Sequence, residues 1–188
     1  MKIALDAMGG DKAPAEIVRG GILAAEEFGV EVALVGVPSA IRAEIEKFNH
    51  PGASVSVVDA PDIIGMAESV MVALKQKPRS GIAVGLEMVK RGEASAFVSA
   101  GNTGAGMAAA LMILDRLPGV LRPALAFVIP GFKGVGLLLD VGANPDCKPQ
   151  NLVQFARMGS LYMEHMYKMS RPRVGLLSNG EEEEKGNR

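Results

Sequence analysis

Four short segments of the sequence combine glycine with small polar or charged side chains, a composition suited to surrounding a compact anion. They are residues 6–11, 99–104, 140–144 and 179–185. Glycine lets the backbone approach a ligand closely, and N–H groups at the start of a helix donate hydrogen bonds to an anion. Asparagine amides and a threonine hydroxyl add donors that carry no charge. The pattern predicts a phosphate site to which Asn102, Thr103 and Asn144 contribute these uncharged donors.

The residues predicted to carry the chemistry come from these loops and from two basic side chains. The predicted catalytic residues are Asn102, Asn144 and Lys185. The predicted substrate-binding residues are Asp6, Gly9, Gly10, Ser99, Gly101, Thr103, Gly104, Arg122, Gly142 and Ala143. Lys185 follows a glycine turn and four glutamates, so its ammonium can meet an incoming phosphate, whereas the glutamates suit a solvated first helical turn. A surface arginine is the alternative interpretation of Arg122.

Two familiar nucleotide motifs do not match the loops. The glycines after the fourth strand have the spacing G-x-x-G-x-G, whereas the dinucleotide motif needs G-x-G-x-x-G, and the Walker pattern does not occur. Cys147 follows the third loop, but neither His50 nor His165 is an evident base for activating its thiol. The sequence therefore disfavours nucleotide binding and a thiol relay.

Composition excludes several other classes of function. The net charge of −1 creates no overall field for nucleic acid, and 4% aromatic residues leave few surfaces for stacking bases. With one cysteine, the chain can form neither an internal disulfide nor a multi-cysteine metal site, which fits a reducing cytoplasm. The most apolar stretch, residues 105–114, is about half of the roughly 20 residues that a membrane span needs. Association with a membrane surface stays open.

The hydrophobic pattern predicts an α/β fold. Strands are predicted at residues 3–5, 32–35, 55–58, 96–98, 125–129, 135–139 and 174–177, several of them separated by amphipathic helices. Such alternation predicts a three-layer, mostly parallel sheet with helices on both faces. Only five residues join the fifth and sixth strands, so an antiparallel hairpin is expected there. We expect residues 1–188 to form a single α/β domain that is truncated at its C-terminus.

Five motifs in order resemble the signature set of the phosphate acyltransferases of the PlsX type. They are D-A-M-G-G-D at 6–11, S-A-G-N-T-G-A at 99–105, R-P-A at 122–124, D-V-G-A-N at 140–144 and M-G-S at 158–160. The resemblance implies transfer of a fatty acyl group from acyl carrier protein to inorganic phosphate, which forms acyl phosphate for phospholipid synthesis. It also implies a fold like that of isocitrate and isopropylmalate dehydrogenases, which phosphotransacetylase shares. A cytoplasmic homodimer without metal or cofactor is expected, with peripheral contact at the inner face of the membrane left open.

The sequence departs from the family pattern at three places. Lys75 stands where an arginine is usual, residues 80–82 replace Ser-Ser-Met, and the asparagine before the last loop is displaced by one position. These departures bear on details of substrate contact. Two alternative functions stay open from the residues alone: a short-chain phosphotransacylase that uses acyl-coenzyme A, and a module that binds a phosphorylated ligand without turnover.

Overall fold

The computed structural model describes residues 1–48, 52–132, 134–144 and 146–178, except for the side chain of Met71. The chain divides into two compact units, Met1–Asp115 and Arg116–Arg188, which are described separately. The expectation of a single domain over residues 1–188 stays a prediction beside this division.

The first unit contains a four-stranded sheet in which every strand pair is parallel. In chain order the strands are β1 (Lys2–Asp6), β2 (Glu31–Gly36), β3 (Val55–Asp59) and β4 (Ala96–Val98), and in the sheet the order is β3-β2-β1-β4. Leu5 of β1 pairs with Leu34 of β2 on one side and with Val98 of β4 on the other. The predicted parallel α/β architecture is confirmed, and β1 and β4 end side by side.

Helices cover both faces of this sheet. They are α1 (Ala15–Phe28), α2 (Pro38–Ile45), α3 (Val70–Gln76), α4 (Gly81–Lys90) and α5 (Thr103–Ile113). Residues of α1 and α2 pack with Leu34, whereas Met88 of α4 packs with the next strand residue, Val35, on the opposite face. Since successive strand residues point to opposite faces, β2 must be apolar throughout, which explains its uninterrupted hydrophobic run.

Close packing of helix on sheet depends on small residues at the contact. A Cβ on Gly21 of α1 would lie 2.9 Å from the Leu5 side chain, and one on Gly85 of α4 would overlap the Phe97 ring. Gly29 ends α1 in a left-handed conformation with φ of 61°, which glycine adopts without strain.

The second unit pairs a hairpin with one long helix. Strands β5 (Ala126–Gly131) and β6 (Gly134–Leu139) are antiparallel, which confirms the predicted hairpin. Helix α6 (Pro149–Tyr167) packs on β6 closely enough that a Cβ on Gly159 would lie 2.5 Å from Leu139. No helix in the described ranges has both the length and the apolarity to span a membrane.

The seventh predicted strand, residues 174–177, is wrong. These residues adopt no regular secondary structure, and the side chain of Leu176 is 77% exposed. A strand exists only when a neighbouring strand satisfies its backbone hydrogen bonds, and no described residue forms such a ladder with this segment.

Candidate functional site

The first two glycine loops meet at one edge of the parallel sheet. Residues 6–11 follow β1 and residues 99–104 follow β4, and these neighbouring strands end at the same edge. A Cβ on Gly9 would lie 2.9 Å from the backbone nitrogen of Gly101. Gly10 has φ of 108°, and a Cβ there would lie 3.2 Å from the Ala100 carbonyl oxygen. The two backbones approach each other so closely that side chains do not fit between them.

Asp6 joins the two loops by hydrogen bonds. Its carboxylate is 4% exposed and accepts a hydrogen bond from Ser99 Oγ at 2.8 Å and one from the Met8 amide at 3.2 Å. Ser99 Oγ in turn accepts a hydrogen bond from the Gly101 amide at 3.0 Å. Burial raises the pKa of Asp6, while the hydrogen bonds from Ser99, Met8 and Gly9 oppose that rise. The carboxyl group therefore belongs to the internal structure of the loops.

Asn102 caps α5 and also holds a second segment of chain. Its Oδ1 accepts a hydrogen bond from the Ala105 amide at 3.0 Å. Its Nδ2 donates to the carbonyl of Met66 at 3.0 Å, and to those of Gly65 and Glu68 at 3.4 Å each. Both ends of the side-chain amide thus have partners within the protein. The predicted role of Asn102 as a donor to a reacting oxygen stays a prediction.

The first turn of α5 offers backbone donors at the surface. Thr103 and Gly104 are exposed, and the first N–H that bonds within the helix to the Asn102 carbonyl is that of Gly106. Within the described part of the chain, no group accepts a hydrogen bond from the Thr103 or Gly104 amide. Such amides at a helix N-terminus attract anions because the helix dipole reinforces them.

A second polar cluster surrounds the loop after β6. Asp140, with φ of 60°, accepts hydrogen bonds from the backbone and side-chain nitrogens of Asn144, both at 3.1 Å. The Asn144 amide also donates to the Pro123 carbonyl at 2.9 Å. The Arg122 guanidinium donates to Asn144 Oδ1 at 3.5 Å and to the Asp146 carbonyl at 3.3 Å. Asp140, which the predicted site did not include, therefore organises this loop.

Cys147 lies beside this cluster. Its sulfur donates to the Asn144 carbonyl at 3.5 Å, and Asp140 Oδ2 lies 3.8 Å away. Burial raises the pKa of Cys147, the negative charge of Asp140 raises it further, and Arg122 opposes the rise. Since the thiolate is the nucleophilic form, this environment disfavours the thiol relay.

The predicted site residues fall into three groups. Asp6, Gly9, Gly10, Ser99, Gly101, Asn102, Thr103 and Gly104 lie in the paired loops of the first unit. Arg122, Gly142, Ala143 and Asn144 belong to the second unit, where Gly142 has φ of 96°. Lys185 lies outside the described residues.

The sequence did not predict that the start of α4 packs against Asp6. Ser80, which is 1% exposed, caps α4 by accepting a hydrogen bond from the Ala83 amide at 3.3 Å, as the sequence predicted. The next residue, Gly81, lies against Asp6 so closely that a Cβ on it would overlap Asp6 Oδ1. Ser80 indicates the start of a helix in the sequence, but its spacing does not indicate that Asp6 lies against that start. No group of acidic, histidine or cysteine side chains within the described ranges is arranged to hold a metal ion.

The amino-acid sequence is similar to that of known proteins over its whole length. A family model described as "Fatty acid synthesis protein" matches residues 1–188. The chain is 54% identical over 187 residues to a phosphate acyltransferase of Pelotomaculum thermopropionicum, with 100% of this chain and 54% of that protein covered. It is 49% identical over 187 residues to a phosphate acyltransferase of Geobacter sulfurreducens, with the same two shares covered. The chain thus spans about half the length of these relatives.

Solved structures of phosphotransacetylases share the fold. The enzyme from Streptococcus pyogenes superposes with a TM-score of 0.61 at 20% identity, covering 83% of this chain and 51% of that one. The EutD phosphotransacetylase from Staphylococcus aureus gives a TM-score of 0.51 at 21% identity, covering 83% and 50%. At these identities the likeness concerns the fold alone.

Proposed function

Because the chain belongs to the phosphate acyltransferase family, we propose that it transfers a fatty acyl group from acyl carrier protein to inorganic phosphate. The product would be acyl phosphate, a precursor for phospholipid synthesis. The observation that carries the proposal is the 54% identity to a phosphate acyltransferase over 187 residues, a span that includes every proposed loop. The relatives are about twice as long, so the proposal concerns the activity of the whole protein.

The paired loops of the first unit support phosphate binding. The exposed amides of Thr103 and Gly104 lie at the N-terminus of an eleven-residue helix, where an anion is favoured by the helix dipole. Gly9, Gly10 and Gly101 let the backbones of the two loops approach each other closely. Arg122, in the second unit, and Lys185, outside the described residues, stay predicted sources of positive charge for phosphate.

The chemistry needs positioning more than strong acid or base catalysis. A phosphate oxygen attacks the thioester carbonyl carbon, and the resulting tetrahedral oxyanion collapses with cleavage of the carbon–sulfur bond. The sulfur leaves with the bonding electrons and takes a proton from solvent; because a thiol has a pKa of about 8.5, it leaves readily. The protein then has to align the reactants and stabilise the oxyanion with preorganised donors. The catalytic roles of Asn102 and of Asn144 stay predictions, since the side-chain amide of each donates to groups of its own unit in this structure.

A thiol-release assay tests the proposal directly. The protein is mixed with acyl-acyl carrier protein and inorganic phosphate, free thiol is followed with a chromogenic disulfide, and acyl phosphate is trapped with hydroxylamine. We expect release that depends on phosphate and is faster with acyl carrier protein than with acyl-coenzyme A. The Ser95→Ala variant is the control, since this exposed serine lies outside the loops. Phosphate protection against heat without any acyl phosphate would instead favour a module that only binds its ligand.

The finer fold and assembly are part of the same proposal. Likeness to phosphotransacetylases supports the dehydrogenase-like fold that they share by resemblance. The homodimer is supported by the β5–β6 hairpin, on which Phe127 is 58% exposed and Phe132 is fully exposed. Sedimentation of the wild type beside the Phe127→Ser variant tests it, because a dimer built on this hairpin should dissociate in the variant. The cytoplasmic location and peripheral membrane contact stay predictions.

A further inference from the structure

We propose that Asp6 is a positioning residue, which sets the phosphate affinity of the paired loops through the Ser99 hydroxyl without touching phosphate itself. The inference rests on the proposed function and refines it, because the sequence pattern predicts Asp6 to contact substrate.

The surroundings of Asp6 leave no path for a substrate anion. The residue is 4% exposed, and both carboxylate oxygens already accept hydrogen bonds from within the loops. A Cβ on Gly81 would overlap one oxygen and a Cβ on Gly9 would overlap the other, so backbone encloses the carboxylate on two sides. A carboxylate would also repel a phosphate dianion at contact distance. Direct binding of phosphate by this side chain is therefore disfavoured by both space and charge.

The Ser99 hydroxyl transmits the position of Asp6 to the second loop. A hydroxyl carries a single proton, and that proton points at Asp6 Oδ2 at an O–O distance of 2.8 Å. The lone pairs of Ser99 Oγ then face the Gly101 amide, which donates to them at 3.0 Å. Gly101 immediately precedes Asn102, the cap of α5. The orientation of Ser99 therefore controls where the Thr103 and Gly104 amides lie relative to the first loop.

The start of α4 favours a carboxyl group at this position. Gly81 is the first residue of this ten-residue helix, and its backbone contacts Asp6. Negative charge near a helix N-terminus is stabilised by the dipole, which helps to hold the buried carboxylate in place. Asp6, which begins the first loop, thus contacts Ser99 at the start of the second loop and Gly81 at the start of α4. Both contacts join residues that are far apart in sequence.

Four variants separate positioning from direct binding and from general stability. Ser99→Ala removes the hydroxyl, Ser99→Thr keeps it, Asp6→Asn replaces one accepting oxygen by a donor, and Ser95→Ala is the matched serine control. Phosphate affinity is measured by titration calorimetry with inorganic phosphate, KM for acyl-acyl carrier protein by thiol release, and folding by circular dichroism. We expect Asp6→Asn to raise the phosphate Kd about tenfold, the effect of one lost hydrogen bond, and Ser99→Ala, which also removes the acceptor of the Gly101 amide, to raise it at least as much.

The expected pattern is specific. KM for the acyl donor should stay within about twofold of the wild type in both variants, and Ser99→Thr should restore phosphate affinity. The double variant Asp6→Asn, Ser99→Ala should bind phosphate no more weakly than the weaker of the two single variants, because the two residues act as one unit. If Asp6 and Ser99 only stabilised the fold, their variants would have a lower melting temperature, but the phosphate Kd would not change more than the KM for the acyl donor.

Three results would overturn the inference. A folded Ser99→Ala variant that binds phosphate as tightly as the wild type would refute the role of the Ser99 hydroxyl. So would a Ser99→Thr variant that loses as much phosphate affinity as Ser99→Ala. Additive losses in the double variant refute action as a unit. If Ser99→Ala does not fold, Ser99→Cys replaces it as the weakened hydrogen-bonding variant, with the same expected direction. Failure of the wild type to bind phosphate would instead reject the proposed function, and the inference with it.

Discussion

Replacing Asn102 with alanine should weaken both the start of α5 and its attachment to the chain near Met66. Loss of a helix cap costs about 1 kcal/mol, and a net hydrogen bond such as that from Nδ2 to the Met66 carbonyl at 3.0 Å contributes about 1 kcal/mol more. The two contacts at 3.4 Å are long and add little. We therefore expect Asn102→Ala to lower the free energy of unfolding by about 2 kcal/mol in total.

Urea unfolding followed by far-ultraviolet circular dichroism measures this change. Asn102→Asp keeps an oxygen to cap the helix but loses the Nδ2 donor, so it should cost about half as much. Gln76→Ala is the amide control, because the Gln76 side chain is exposed on α3 and should matter by less than about 0.5 kcal/mol. An Asn102→Ala variant as stable as the wild type would refute the interpretation of the amide as a cap and tether.

The same variants test the proposed catalytic role of Asn102. If its amide also stabilises the oxyanion during turnover, Asn102→Ala should lower the rate of acyl phosphate formation by on the order of 10² to 10³. Asn102→Asp should be equally slow, since it lacks the donor although it keeps the cap. Full turnover in a folded Asn102→Asp variant would reject the catalytic assignment and leave the structural one intact.

Three further outcomes follow from individual contacts. Gly85→Ala should destabilise the first unit by about 1–3 kcal/mol, because its Cβ overlaps the Phe97 ring, whereas Gly20→Ala has open space and should be neutral or stabilising. Asp6→Asn should be less stable than the wild type, and the difference should be largest at and below pH 3.8, the ordinary pKa of the group. The difference should shrink as pH rises, because the raised pKa of Asp6 makes ionisation of this buried carboxyl cost the wild type stability that the variant does not lose. Cys147→Ser should retain acyl transfer, since burial and the charge of Asp140 raise the pKa of the Cys147 thiol and so disfavour its nucleophilic form.

Each of these outcomes has its own check. Urea titration compares the two glycine variants, and a Gly85→Ala variant as stable as Gly20→Ala would contradict the packing at α4. For Asp6→Asn, unfolding is measured from pH 3 to 8. A stability deficit that grows with pH would show that folding lowers the pKa of Asp6 instead of raising it. Loss of phosphate-dependent thiol release in a folded Cys147→Ser variant would reinstate the thiol as a participant.

The local pattern of the sequence was sufficient to predict most of the secondary structure and the class of the fold. The unbroken apolar run in β2 indicated a strand buried on both faces, and Ser80 indicated the start of α4. These signals are readable because burial and helix capping depend on residues within a few positions of each other. The glycine loops were recognisable for the same reason, and their motifs identified the family.

Only the tertiary structure decided how the polar groups of those loops are used. Asp6 and Ser99 are 93 positions apart, and Asn102 and Met66 are 36 apart, yet each pair forms a hydrogen bond. Sequence spacing cannot specify such partners, because they depend on how strands and helices pack after the chain has folded. The same limit explains the error at residues 174–177, where the apolar pattern indicated a strand but strand formation requires a neighbouring ladder. A residue type predicts what a side chain can do, whereas its tertiary neighbours determine what it does.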